Sequence, residues 1–325
     1  KQVQTHTENP LHYKPIRASI KALESPAETE KQRLKSYPPM STGRRTALAK
    51  WITHPDNPLT ARVAVNHIWM RHFGMPLVDP VTDFGRQTKA PKLQKILDFL
   101  AITLMENNWR MKSIHRLIVT SQAYQRSSSI LNAQTSNRTQ DPENSLLWRQ
   151  NAVRMESQVL RDSLLQLSKQ LDTQIGGPTI DPKGAKSQQR RSLYFTHSRD
   201  DQHLFLNLFD DASILACYRR SESIIPQQAL ALANSALSMD AASQITKTLQ
   251  ELGSQQGGLS NASFVVSAFE HILGWTPNSE EKEICLKNLE QWEKESRPNT
   301  VSNALSPRDS LIHALINHND FITIR

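Results

Sequence analysis

Five arginines carry the clearest chemical hint in this chain. Arg190-Arg191 and Arg219-Arg220 are adjacent pairs, and Arg154 stands in a helical stretch ahead of them. The arginine guanidinium is a planar fork suited to two-point recognition of carboxylate, sulfate or phosphate, so these residues are candidates for an anion-binding surface. The competing reading is structural, with arginines locked onto Asp210 and Asp211, and with Asp162 holding Arg191 or Arg220. Buried arginine–carboxylate pairs more often fix packing than perform catalysis.

A second set, Trp69, His72, Asp83 and His115, could line a pocket. With Arg154, Arg191 and Arg220 it would form an active site dispersed through the sequence. No local pattern completes such a site. His67 and His72, like His313 and His318, are five residues apart and fall on different helix faces, and HExxH is absent, so no metal site is expected. Asp83-Phe84-Gly85 lacks the glycine-rich loop and strand lysine that would make it magnesium-binding, and reads as a turn. GxSxG is also absent.

The 325 residues carry 39 Lys+Arg against 31 Asp+Glu, a net charge of +8. That balance favours anionic partners, but no block of basic residues or basic–aromatic interleaving marks a nucleic-acid surface, and none is expected. Mean hydropathy is −0.53, and no apolar run is long enough to span a membrane. The two cysteines, Cys217 and Cys285, sit in no CxxC or CxxCH context, so neither a haem nor a cysteine–zinc cofactor is expected in this segment. A disulfide between them and two separate buried thiols both remain open.

Periodicity predicts the elements that position these residues. Residues 1–40, with five prolines, read as a linker or extended arm with a short helix at 26–36. A helical domain fills 41–325, with a candidate sub-division near 130–141. Leu48, Trp51 and Ile52 form one face of a helix over 44–53. Asn57-Pro58 reads as a helix start and Gly74 as its stop. Further helices are expected after Pro91, then one carried by Ile114, Leu117, Ile118 and Tyr124, then over 152–171 with Val159 inward, from Pro226 to about 252, and over 262–273, 279–295 and 307–317. The segment 127–141 reads as an exposed loop, and 190–196 as the best strand candidate. The fold class is mainly α, a multi-helix orthogonal packing with a short β element near the middle.

The blocks RRTALAKWITHPDNPLTARVAVNHIWMRHFGMPLVDPVTDFG, WRMKSIHRLIVTSQAYQRSSS, DPENSLLWRQNAVRMESQVLRDSLLQLSKQLDTQIGGP, RRSLYF, FDDASILACYRRSESIIPQQALALAN and LIHALINHNDF resemble, in that order, the planctomycete-specific C-terminal domain called domain of unknown function fifteen fifty-three. The resemblance runs from about Gly43 to Phe321. His67 stands where that family usually has arginine, and Ala90-Pro91-Lys92 replaces a Gly/Pro/His-containing turn. The arginine-rich stretch is thinned here to Arg154. The resemblance implies export from a bacterial cell and upstream partner domains in the same polypeptide, often cytochrome-c-like. It implies no agreed activity.

Two functions are therefore carried forward. One is an exported accessory module that binds an anionic polysaccharide or a partner domain. The other is an enzyme with a dispersed active site coupled to a cytochrome-c-like domain in polysaccharide breakdown.

Overall fold

The computed structural model describes residues 43–85, 87–130, 134–215, 218–254, 258–295 and 305–324. The expected arm over 1–40, with its helix, lies outside these residues. The described chain divides into two compact units, the first within 43–126 and 134–148, the second within 127–130 and 149–324. Both are mainly α-helical.

The first unit contains α1 (Arg44–Ile52), α2 (Thr60–Phe73), α3 (Gln94–Glu106), α4 (Met111–Val119) and the short α5 (Thr135–Gln140). Helices α2, α3 and α4 pack on one another. Val65, Phe73, Leu97, Leu104 and Ile114, each at most 1% exposed, fill the space between them. Each such side chain contributes roughly 1.5–3 kcal/mol by leaving water. Asn57 does cap a turn, accepting from the Leu59 N–H at 3.0 Å and donating to Trp51 O at 3.0 Å. The helix itself starts later, at Thr60. Gly74 ends it in the left-handed region, φ 74°, which glycine adopts without a Cβ clash. Below that turn Asn66, fully buried, closes the loop: it accepts from the Val78 N–H at 2.9 Å and donates to Val78 O at 3.0 Å.

Several expectations are corrected here. Leu48, Trp51 and Ile52 are exposed, so α1 buries Ala47 instead of the expected face. The polar segment 127–141 contains α5, because Ser, Thr, Asn and Gln tolerate an exposed turn of helix as readily as a loop.

The second unit contains β1 (Val153–Arg154), α6 (Ser157–Leu167), α7 (Leu204–Leu208), α8 (Pro226–Asn234), α9 (Ala236–Ser254), α10 (Asn261–Ile272), α11 (Ser279–Glu295), α12 (Pro307–Ile316) and β2 (Thr323–Ile324). Helix α9 lies along α12 and α6, and α10 packs on α11 and α12. Leu164, Ala242, Ile245, Phe264, Val265, Ala268, Leu289, Ile312 and Ile316 form a core with no measurable exposure. Ser306 and Asp309 make a reciprocal capping box at the start of α12.

The β element pairs β1 with β2 antiparallel, Val153 opposite Ile324 and Arg154 opposite Thr323. This pairing takes the first residues of the expected 152–171 helix, which runs only over α6. Val159 faces outward on it, 44% exposed. The 190–196 segment is not a strand. Ser192–Tyr194 forms a 3-10 turn, with single bridges from Arg190 to Asp172 and from Phe195 to Ile180. The expected 226–252 helix breaks at Ser235, whose backbone is extended and whose hydroxyl accepts from the Ser238 N–H at 3.2 Å. High alanine propensity hid a serine N-cap.

Candidate functional site

The first-unit candidates divide. Trp69 is 7% exposed and stacks on Phe73, ring centroids 4.3 Å apart, so it is a core residue of α2. His72, one turn on, meets His115 of α4: Nε2 and Nδ1 are 2.8 Å apart. Tyr124 stands edge-on to His72 at 5.6 Å. Burial, then the neighbouring His115, holds His72 below its ordinary pKa. One ring donates and the other accepts, which requires a neutral nitrogen at the contact. Asp83 is exposed and serves its own turn, accepting from the Gly85 N–H at 2.6 Å.

The second-unit arginines surround the start of α6. Arg154, on β1, donates to Gln228 Oε1 at 2.6 Å. Gln228, 2% exposed at the head of α8, donates in turn to Leu208 O at 3.0 Å and to Ser223 Oγ at 3.0 Å. Ser223 donates to Asp210 from its N–H and its hydroxyl, each at 2.8 Å. Asp210 is therefore held by a serine and a glutamine, not by an arginine.

Arg220 stands among carboxylates. It donates to Gln158 Oε1 at 2.9 Å and lies 3.4 Å from Glu156 and 3.5 Å from Asp211. Asp211 also accepts from Gln158 Nε2, and His197 Nδ1 stands 3.4 Å away. Arg190 lies over the Tyr194 ring at 3.9 Å and donates to the carbonyls of Pro178 and Gly176. Arg219 is exposed.

Arg191 differs from Arg154, Arg190 and Arg220. Its side chain is 52% exposed, its Nε is 3.8 Å from Asp162 Oδ2, and its guanidinium makes no hydrogen bond among the described residues. It lines an open groove of about 780 Å³ along the outer face of α6. Val159, Leu171, Ile175 and Leu193 supply apolar wall, and Asp162, Gln158, Ser163, Gln166 and Thr173 are polar lining groups.

Behind the groove sits a residue that sequence reasoning passed over. Arg161 is 2% exposed. It donates to Arg190 O at 3.0 Å, to Ser192 Oγ at 3.2 Å and to Gln188 O, and lies over the Phe195 ring at 4.9 Å. Asp162 Oδ1 accepts from the Ser192 N–H at 2.8 Å and hydroxyl at 2.6 Å. The arginine thus ties the 188–195 segment to α6. The signal was present: Arg161 falls four residues after Ser157 and three before Leu164, inside the buried stripe. His203 was also missed. Burial first, then the Arg161 charge, pushes its pKa down to about 4, and its Nε2 has no hydrogen-bond partner among the described residues.

Among the described residues no group of three or more His, Cys, Asp or Glu side chains gathers as a metal site. No helix among them is long and apolar enough to cross a membrane. Cys285 is half-buried, and burial raises its thiol pKa; Cys217 lies outside the described residues.

A family profile, PSD1, protein of unknown function (DUF1553), matches residues 44–289, about three quarters of the chain. The chain belongs to the PSD1 family. The match takes in residues of both units, from α1 into α11, including Arg161, Arg191 and every groove-lining residue except Phe321. Searches of curated proteins and of solved structures gave no match.

Proposed function

We propose that this PSD1-family chain is a binding module that takes an anionic ligand in the α6 groove of its second unit, with Arg191 as the recognising charge. The observation that carries this is the division of labour among the arginines. Arg154, Arg190 and Arg220 donate to protein acceptors, whereas the Arg191 guanidinium has its hydrogen-bonding groups available at a groove. A half-exposed arginine fork beside a concave surface is a ready anion contact.

The family resemblance supports placing the module in an exported multidomain bacterial protein, with upstream partner domains of cytochrome-c-like type. In that setting anionic polysaccharide is a candidate ligand. Affinity electrophoresis in gels containing polygalacturonate or dextran sulfate tests it. Retardation that fades with salt and is lost in Arg191→Gln is expected; migration identical to that in plain gel would overturn it. The upstream sequence tests the rest, through a leader peptide and a CxxCH motif.

A further inference from the structure

We propose that the α6 groove is a binding site for an anionic amphiphile: one carboxylate or sulfate head held by Arg191, with an apolar body laid along Ile175, Leu171, Leu193 and Val159. This rests on the anion-binding reading above and narrows its ligand class.

The shape comes first. At about 780 Å³ the groove falls in the size range of small-molecule sites, and such sites combine mostly apolar walls with few polar groups. Its apolar groups are also unusually bare: Ile175 is 92% exposed, Leu193 56% and Val159 44%. Single exposed aliphatic residues are ordinary, but a contiguous set rimmed by polar groups marks a surface that something covers.

The charge selects the head group. Two guanidinium groups, Arg161 at 3.6 Å and Arg191 at 3.8 Å, face the single Asp162 carboxylate. Arg161 directs its donors to backbone carbonyls and the Ser192 hydroxyl, which are neutral. Asp162 Oδ1 is occupied by Ser192. Among these three groups two guanidinium charges meet one carboxylate, and of the two guanidiniums Arg191 is the exposed one. Because Nε is the Arg191 atom nearest Asp162, both terminal nitrogens remain for a two-oxygen anion.

The walls argue against sugar as the whole ligand. Carbohydrate rings need exposed aromatic platforms and many hydrogen-bond donors. Here the aromatic lining residue, Phe321, is 3% exposed; the accessible wall is aliphatic at Ile175, Leu193 and Val159, with Gln166 and Thr173 as its exposed neutral polar residues. An alkyl body gains from such a wall with every methylene it removes from water.

The experiment is isothermal titration calorimetry of the full chain with decanoate below its micelle concentration. Decyltrimethylammonium and polygalacturonate are titrated in parallel. The variants are Arg191→Gln, Ile175→Asp and, as a control cation elsewhere on the surface, Lys287→Gln. Residues 175 and 191 are exposed, so thermal melts should match the unsubstituted chain. Saturable one-to-one binding of decanoate is expected, weakened about tenfold or more in both groove variants and unchanged in Lys287→Gln, as loss of a charge-assisted contact implies. Unsaturable binding, equal binding by Arg191→Gln, or equal binding of the cationic amphiphile overturns the proposal. Arg191-dependent binding of polygalacturonate without decanoate sinks this ligand class and leaves the anion-binding reading standing. If neither anion binds, both fall.

Discussion

Arg161 and Asp162 are neighbours in the chain whose charges meet at 3.6 Å, yet the arginine is 2% exposed and the carboxylate 17%. Successive helix residues point in different directions, so the pair spans two environments. Arg161 reaches inward to the carbonyls of Gln188 and Arg190, while Asp162 accepts from Ser192 and borders the groove. One dipeptide thereby connects the unit's core to its candidate ligand surface.

Removing the inner member should be costly. Arg161→Ala strands the carbonyl oxygens of Gln188 and Arg190 and leaves a cavity beneath Phe195. A loss of about 3 kcal/mol is expected, because breaking a buried charge's contacts costs roughly 3–5 kcal/mol. Arg161→Lys should recover only part, since an ammonium cannot reproduce the planar fork. Urea denaturation followed by circular dichroism measures both; losses under about 1 kcal/mol would contradict the assigned role.

His203 should make stability depend on pH. Its folded-state pKa, about 4, lies below the ordinary 6.5, so the unfolded chain binds the proton more readily. The contribution is fully present above pH 6.5 and is lost as pH falls towards 4. With partial solvent access its size is about 2–3 kcal/mol. His203 also caps α7, accepting from the Leu206 N–H. Asparagine can keep that cap without titrating, so His203→Asn should flatten this part of the pH profile. An imidazole titrating near 6.5 by NMR would refute the account.

Asn66 offers an isosteric test in the first unit. It pairs with both backbone groups of Val78 at 0% exposure. Asn66→Ala should cost about 2–3 kcal/mol by leaving both groups unpaired. Asn66→Asp should cost more despite its matching shape, because it places a buried carboxylate oxygen against the Val78 carbonyl. Thermal melts of the two variants rank them, and the reverse order would be incompatible with this geometry.

Ser306→Ala removes the side-chain half of the capping box at α12. A loss of about 1 kcal/mol is expected from capping energetics. Because α12 packs along α9, the change should appear as faster amide exchange in the first turn of α12. Unchanged exchange there would show that the cap adds nothing.

Much of the fold was legible. Helix α11 has the bounds its sequence pattern predicts, and Gly74 stops α2 as its type implies. These are local properties, set by periodicity and by the backbone freedom of single residues. The errors fall where a distant partner decided the outcome. Val153 and Arg154 are strand because Thr323 and Ile324 lie beside them, a pairing across 170 residues of chain. Residues 190–196 look like a strand by composition, but Arg161 takes the Arg190 carbonyl and the Ser192 hydroxyl from the side, and Ser192–Tyr194 forms a 3-10 turn.

The sequence alone determined that this protein is mainly helical, belongs to the PSD1 family, and carries arginines of the kind that bind anions. Those follow from residue type and order, which need no third dimension. Which arginine is available was decided only by tertiary structure. Arg190 and Arg191 are adjacent and chemically identical, yet one is stacked on Tyr194 with both terminal nitrogens donating to backbone carbonyls and the other opens onto the groove. Nothing local separates them. The difference arises from which acceptors the folded chain brings within reach.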